Sequence, residues 1–314
     1  MARKLPECWG HRGASAAFPE NTLASFEGAA RDGAEGIESD VHVSLDGVIM
    51  MFHDPALGRT TDGHGLIREQ NYHGEQGMEH VRTKKEPKQP IPTFNQTVGL
   101  LMKPDNKHLK FNLDVKVYND PVRLFTIMHE VIASQPNWET DLAPRILLGL
   151  WHPKFLNPAK DLLPYCRRAH IGMSPDIARK YFWDQCDGFS MNFGALVTVE
   201  GKQFIKDCKA GNKEVMVWTV NKKEEMMECV RWEVNAILTD VTKTWLDLRK
   251  ELAADYDGTL QKESGWLYAW LSPRYYSPFQ WYLWRLEQQM LERHGGPFDK
   301  PEVTTETTPA VAEA

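Results

Sequence analysis

The sequence predicts an α/β fold, a (β/α)8 TIM barrel, and three observations carry the prediction. Eight short β-rich runs alternate with amphipathic stretches, the pattern of a parallel sheet joined by crossover helices. The chain has 314 residues, a length that such barrels reach as one unit. Its polar motifs fall at or near the ends of the apolar runs. In a parallel barrel those ends share one face, so residues distant in sequence can meet in one pocket.

In order, strands are expected at Cys8–His11, Gly36–Val43, Leu109–Val115, Arg145–Trp151, Ala169–Met173, Gly188–Met191, Glu214–Val220 and Ala236–Thr239. Helices are expected at Thr22–Asp32, with Asn21 as its N-cap, and at Pro121–Ala133, Ala195–Ala210 and Lys222–Arg231. The last barrel helix should end near Leu252. Asp46-Gly47 is a hairpin signal, so Val48–His53 should fold back as an antiparallel strand and carry His53 to the barrel mouth. Residues 54–92, rich in Gly, Pro, His and charge, interrupt the alternation after the second strand. So long an excursion is more often functional than accidental, and it is expected to face the substrate. The barrel then occupies 1–255, an aromatic tail 264–294, and a Thr-, Pro- and Glu-rich end, 295–314, is expected to be disordered.

Apolar residues make up 42% and charged residues 25%, ordinary for a globular protein. A net charge of −6 argues against a nucleic-acid partner. Five widely spaced cysteines without a Cys-x-x-Cys read as reduced thiols. Met1–Glu7 lacks the apolar run of a secretory signal, which points to a cytosol-facing enzyme.

Glu38, Asp40 and His42 alternate along one strand and therefore share a face, with Ile37, Val41 and Val43 on the other. Adjacent carboxylates inside a barrel are costly unless a cation compensates them. They form either a buried network neutralised by Arg12 and Lys116 or, with Asp114 from another strand end, a site for a hard cation such as Mg²⁺ or Ca²⁺. Three carboxylates, two cations and a dication sum to +1, which a phosphodiester anion balances. His11 and His53 both reach the barrel mouth, and imidazole titrates where proton transfer in either direction is easy. Arg12 offers a planar fork to phosphate oxygens, Lys116 a point charge, and Gly13 a tight turn beside them. Glu20 and Asn21 read equally as a helix start, and Trp218 as a pocket wall or as packing. Asp240 could orient a catalytic neighbour, but a cap for the helix beginning near Lys243 is the preferred reading. His42 is placed near the pocket without a chemical role.

Residues 265–286 carry Trp266, Trp270, Trp281, Trp284, Tyr268, Tyr275, Tyr276, Tyr282 and Phe279, with no acid before Glu287. Pro273, Arg274 and Pro278 interrupt what would have to be about 20 apolar residues for a membrane span. Trp and Tyr favour the membrane interface, so a monotopic anchor or shallow hairpin is expected. The alternatives are a helix packed back on the barrel and a dimer interface.

Trp-Gly-His-Arg-Gly at 9–13, Pro-Glu-Asn-Thr at 19–22, Glu-Ser-Asp-Val-His-Val-Ser-Leu-Asp-Gly at 38–47 and Phe-His-Asp at 52–54 together resemble the glycerophosphodiester phosphodiesterase family. Asn-Leu-Asp-Val-Lys-Val at 112–117 and Gly-Leu-Trp-His-Pro-Lys-Phe at 149–155 are similar to the fungal phosphatidylglycerol-specific phospholipase C branch. Asp114 stands where the family usually has Glu, and Thr242 where it usually has Pro. The resemblance implies His11 and His53 as the acid–base pair. It further implies one divalent cation, Mg²⁺ or Ca²⁺, on Glu38, Asp40 and Asp114, and phosphate contacts from Arg12 and Lys116. The implied reaction cleaves phosphatidylglycerol to diacylglycerol and glycerol 3-phosphate, through attack by the headgroup 2-hydroxyl and a cyclic phosphate. Hydrolysis of other glycerophospho-esters, including lysophospholipids, is the alternative within the class, and an inactive membrane-docking scaffold is the alternative outside it. The expected partners are a glycerophospholipid and, through the tail, the surface of an intracellular membrane: endoplasmic reticulum, mitochondrial outer membrane or lipid droplet.

Overall fold

The chain enters as strand β1 (Glu7–His11), then β2 (Gly36–Val43), the short hairpin strand β3 (Ile49–Met51), β4 (Lys110–Val115), β5 (Ile146–Leu150), β6 (Arg167–Gly172), β7 (Gly188–Asn192), β8 (Glu214–Trp218) and β9 (Ala236–Thr239). The structure is a computed structural model and describes residues 4–264 and 272–299. Strands pair in the order β1-β9-β8-β7-β6-β5-β4-β2, and the β1–β2 pairing closes eight parallel strands into a barrel. β3 lies antiparallel on β2, as the Asp46-Gly47 turn requires, with Gly47 at φ 85°. His53 stands two residues beyond its end.

The helices are α1 (Leu23–Asp32), α2 (Phe94–Leu101), α3 (Pro121–Ala133), α4 (Trp138–Asp141), α5 (Leu156–Leu162), α6 (Pro175–Ile177), α7 (Phe193–Val197), α8 (Val199–Ala210), α9 (Lys223–Trp232), α10 (Thr242–Ala254), α11 (Tyr256–Glu263) and α12 (Ser277–Gly295). The expected helix 195–210 is two, because Thr198 is extended (ψ 165°) and caps α8 through the amide of Gly201. α1 is capped by Thr22, whose Oγ1 accepts from the amide of Ser25, and not by Asn21. Asn21 instead takes a left-handed turn (φ 56°) that frees its amide for the barrel interior.

Outward residues of the strands, among them Ile37, Val41, Phe111, Leu113, Leu148 and Phe189, pack against the helices as one buried core. Each such side chain contributes about 1.5–3 kcal/mol through burial. Inside the barrel, Trp9, Leu147, Ala169, Met216, Ala236 and Leu238 form a separate plug. Polar groups of the interior stand above it.

The insertion 54–92 folds around three tight turns, Leu57–Arg59, Ile67–Glu69 and Met78–His80. Leu57, Ile67, Tyr72, Met78 and Ile91 form its own small core with Met50 and Phe52. Lys85 ties it to the β1–α1 loop, donating to the carbonyls of Ser15 (2.8 Å), Ala16 (2.8 Å) and Phe18 (3.0 Å).

Of the readings set out for the C-terminal stretch, the helix packed back on the barrel describes α12. Residues 265–271 lie outside the described residues, but α12 packs at the C-terminal ends of the barrel strands. Gln280, Trp284, Glu287 and Leu291, spaced four, three and four apart, form its buried side. The Glu287 carboxyl accepts from the Met173 amide (2.7 Å) just after β6, and Tyr118 after β4 touches His294. Phe298, expected to be disordered, is buried between Tyr181 and His152. Residues 300–314 lie outside the described residues.

Candidate active site

Alternation along β2 turns Glu38 and Asp40 inward, and the parallel register sets Asp40 beside Asp114 on β4. Glu38, Asp40 and Asp114 are all buried, with one oxygen of each within 4.8 Å of the others. Lys116 bridges Asp40 Oδ1 (2.6 Å) and Asp114 Oδ2 (2.8 Å). Arg12 lies 3.4 Å from Asp40 Oδ2, and its amide donates to Glu38 Oε2 at 3.0 Å. Gly13 (φ 80°) makes this approach possible, since a Cβ there would sit 2.5 Å from Ser25.

The electrostatics suit a further cation. Burial, then Asp40, pushes the Glu38 carboxyl up to about 8. Burial also opposes ionisation of Asp40, but Lys116 and Arg12 outweigh it and hold that carboxyl well below the ordinary range. Arg12 and Lys116 thus leave the trio one positive charge short of neutral when all three are ionised. Hard oxygen donors at this spacing would suit a divalent cation.

Both histidines are held by carboxylates. His11 Nδ1 is 2.7 Å from Asp240 Oδ1, which leaves Nε2 facing the trio, 3.9 Å from Glu38. His53 Nδ1 is 2.6 Å from Asp54. Burial disfavours protonation of His11, yet the Asp240 hydrogen bond and Glu38 prevail and raise its pKa. Burial lowers that of His53. Asp240 does not cap a helix: α10 has no side-chain cap, and Asn221 Nδ2 (2.6 Å) and Ser15 Oγ (2.8 Å) hold the carboxylate against His11.

His11, Arg12, Glu38, His53, Asp114, Lys116 and Trp218 line one cavity of about 130 Å³. Trp218 is a wall, its Nε1 donating to the Ser190 carbonyl (2.9 Å) and its ring edge-on to Trp151 at 5.7 Å. His42 lines a neighbouring cavity instead, and its Nε2 bonds the His53 carbonyl at 3.0 Å.

Several working residues escape a reading of the sequence. Asn21 donates to Asp40 Oδ2 (2.7 Å), and Trp151 Nε1 to Asp114 Oδ1 (2.7 Å), so both fix carboxylates of the trio. Glu20, no mere helix-start residue, accepts from Arg12 (2.9 Å) and from Arg59 of the insertion (2.7 Å). Arg59 also holds Asp54 (2.5 Å). Arg12, Glu20, Arg59, Asp54 and His53 therefore form a continuous chain across the mouth. The signals were present in Pro-Glu-Asn-Thr and His-Asp, but only the fold shows their direction.

A parallel barrel carrying paired imidazoles, a carboxylate trio and two cations at its C-terminal mouth defines a phosphoric diester hydrolase. Residues 11–244 match the glycerophosphoryl diester phosphodiesterase family, and the chain belongs to it. Human glycerophosphodiester phosphodiesterase 1 is 37% identical over 241 residues, covering 68% of this chain and 72% of that one. The glycerophosphodiester phosphodiesterase of Bacillus altitudinis is 26% identical over 255 residues, covering 79% and 100%. Among solved structures, an Oleispira antarctica phosphodiesterase in complex with the product sn-glycerol-3-phosphate shares the fold, with a TM-score of 0.64, 24% identity and coverage of 80% and 97%.

Proposed function

We propose that this hydrolase acts on glycerophosphodiesters whose glyceryl group keeps a free 2-hydroxyl. The cavity carries the reading: its two histidines approach from β1 and the β3 hairpin, each backed by a carboxylate. One imidazole removes the proton of the 2-hydroxyl as that oxygen attacks phosphorus, and the other protonates the departing oxygen. The resulting cyclic phosphate takes up water to give the glycerol phosphate. Arg12 and Lys116 neutralise the phosphoryl oxygens. A divalent cation, Mg²⁺ or Ca²⁺, held by Glu38, Asp40 and Asp114 would add Lewis-acid stabilisation of the same charge.

A second reading keeps the chemistry and makes the leaving group diacylglycerol, with phosphatidylglycerol as substrate. One observation favours it. Phe279 (44% exposed), Tyr282 (59%), Leu286 (41%) and Met290 (42%) form an apolar row on the outer side of α12, at the catalytic end of the barrel. No helix among the described residues is long and apolar enough to cross a membrane, so the row would support peripheral contact with a cytosol-facing lipid surface.

A hydrolysis panel with and without chelator separates the readings. Chelator-sensitive release of glycerol phosphate from glycerophosphocholine supports the first. Cleavage of phosphatidylglycerol alone, reduced on vesicles but not in detergent by Phe279→Ser and Tyr282→Ser together, supports the second. No turnover of either ester would leave only an inactive scaffold.

A further inference from the structure

Asn112 on β4 and Ser190 on β7, both fully buried, stand in register with the plug residues Leu147 and Met216. Among the described residues, Asn112 Oδ1, Asn112 Nδ2 and Ser190 Oγ have no hydrogen-bond partner, and both residues line the cavity that holds His11, Lys116 and Trp218. Barrel interiors are ordinarily filled at this depth by branched apolar side chains, and a buried polar atom without a partner is costly. Gly149, on the strand next to Asn112, leaves room beside the amide. A Cβ there would sit 2.4 Å from Ile171 Cδ1 and 2.8 Å from Asn112 Oδ1.

From this we infer that Asn112 and Ser190 form a subsite for the terminal hydroxyl of the substrate's glyceryl group. The proposal rests on the glyceryl reading above and adds the orientation: glyceryl end down, leaving group toward the mouth. The chemistry of the two side chains selects the ligand. An amide offers one acceptor and two donors, a serine hydroxyl one of each kind, and a hydroxyl both donates and accepts. A quaternary ammonium can do neither, and Asn112 and Ser190 themselves offer a second phosphate no charge. Ile171, Trp218 and Leu238 complete the walls and suit the carbon chain of a three-carbon polyol.

The test compares kcat/KM for glycerophosphocholine, and for phosphatidylglycerol in detergent, with the counterparts lacking only the terminal glyceryl hydroxyl. Wild type should prefer each intact ester by roughly 10–100-fold, the scale set by leaving a buried polar group unpaired. Asn112→Leu and Ser190→Ala should each bring that ratio close to one. Neither should lower Tm, since each removes a buried polar group without a protein partner. Should Asn112→Leu fail to fold, Ser190→Ala carries the same comparison. Equal turnover of intact and deoxy esters by wild type overturns the subsite while the glyceryl reading stands. So does a variant that keeps full discrimination, or loses it only with a lower Tm. No turnover of either intact ester overturns the glyceryl reading and the subsite with it.

Discussion

Asp240 Oδ1 lies 2.7 Å from His11 Nδ1, joining the last barrel strand to the first. The contact sets the tautomer and aims Nε2 into the cavity. Asp240→Asn could still hydrogen-bond, but it replaces a charge that supports imidazolium. We expect kcat to fall by ~10²–10⁴-fold, with the far-ultraviolet circular dichroism spectrum unchanged. Near wild-type turnover would reduce Asp240 to a structural residue.

Glu38→Gln, Asp40→Asn and Asp114→Asn each remove one hard anionic donor. Calorimetric titration with Mg²⁺ or Ca²⁺ should show weaker binding in each, alongside lower activity. Full activity of the wild type after exhaustive chelation would assign the trio to a purely structural network.

Arg59 couples Glu20 to Asp54 and so, at one remove, Arg12 to His53. Arg59→Gln should lower kcat by up to about 10²-fold, the scale of a misplaced acid–base group, and leave Tm within a few degrees. A change confined to KM would show that the chain positions substrate only.

Glu287 is buried at the end of β6, and burial pushes its carboxyl up to about 8 despite the Met173 hydrogen bond. The folded chain therefore keeps a proton that the unfolded chain loses near pH 4. Its favourable contribution is complete below that pH, declines as pH rises through 8, and then levels off. Glu287→Gln should accordingly gain stability over wild type between pH 5 and 8, by several degrees of Tm at the upper end. Parallel melting curves for the two proteins would refute the assignment.

The barrel was legible because its strands are short, apolar and regularly spaced, and the carboxylate trio because alternation on β2 leaves no other direction for Glu38 and Asp40. Asn21 and Asp240 were not. Asn and Thr are both good caps, and nothing local tells that Asn21 turns left-handed and hands the cap to Thr22. Asp240 precedes a helix, while its partner is 229 residues away. α12 misled in another way: its aromatic residues lie on several sides, and its buried side includes the polar Gln280 and Glu287. A hydrophobic pattern could not announce that packing.

The pairing of β1 with both β2 and β9 has a consequence for biosynthesis. Emerging from the ribosome, β1 can find β2 at once, but its other edge must wait for nearly the whole barrel to be made. Until β9 arrives, β1 and β8 present open edges to the cell, a template for aggregation. His11 meanwhile lacks the carboxylate that orients it. Turnover thus reports closure of the ring, and a nascent or clipped chain ending before residue 240 would be inactive however well its earlier strands had formed.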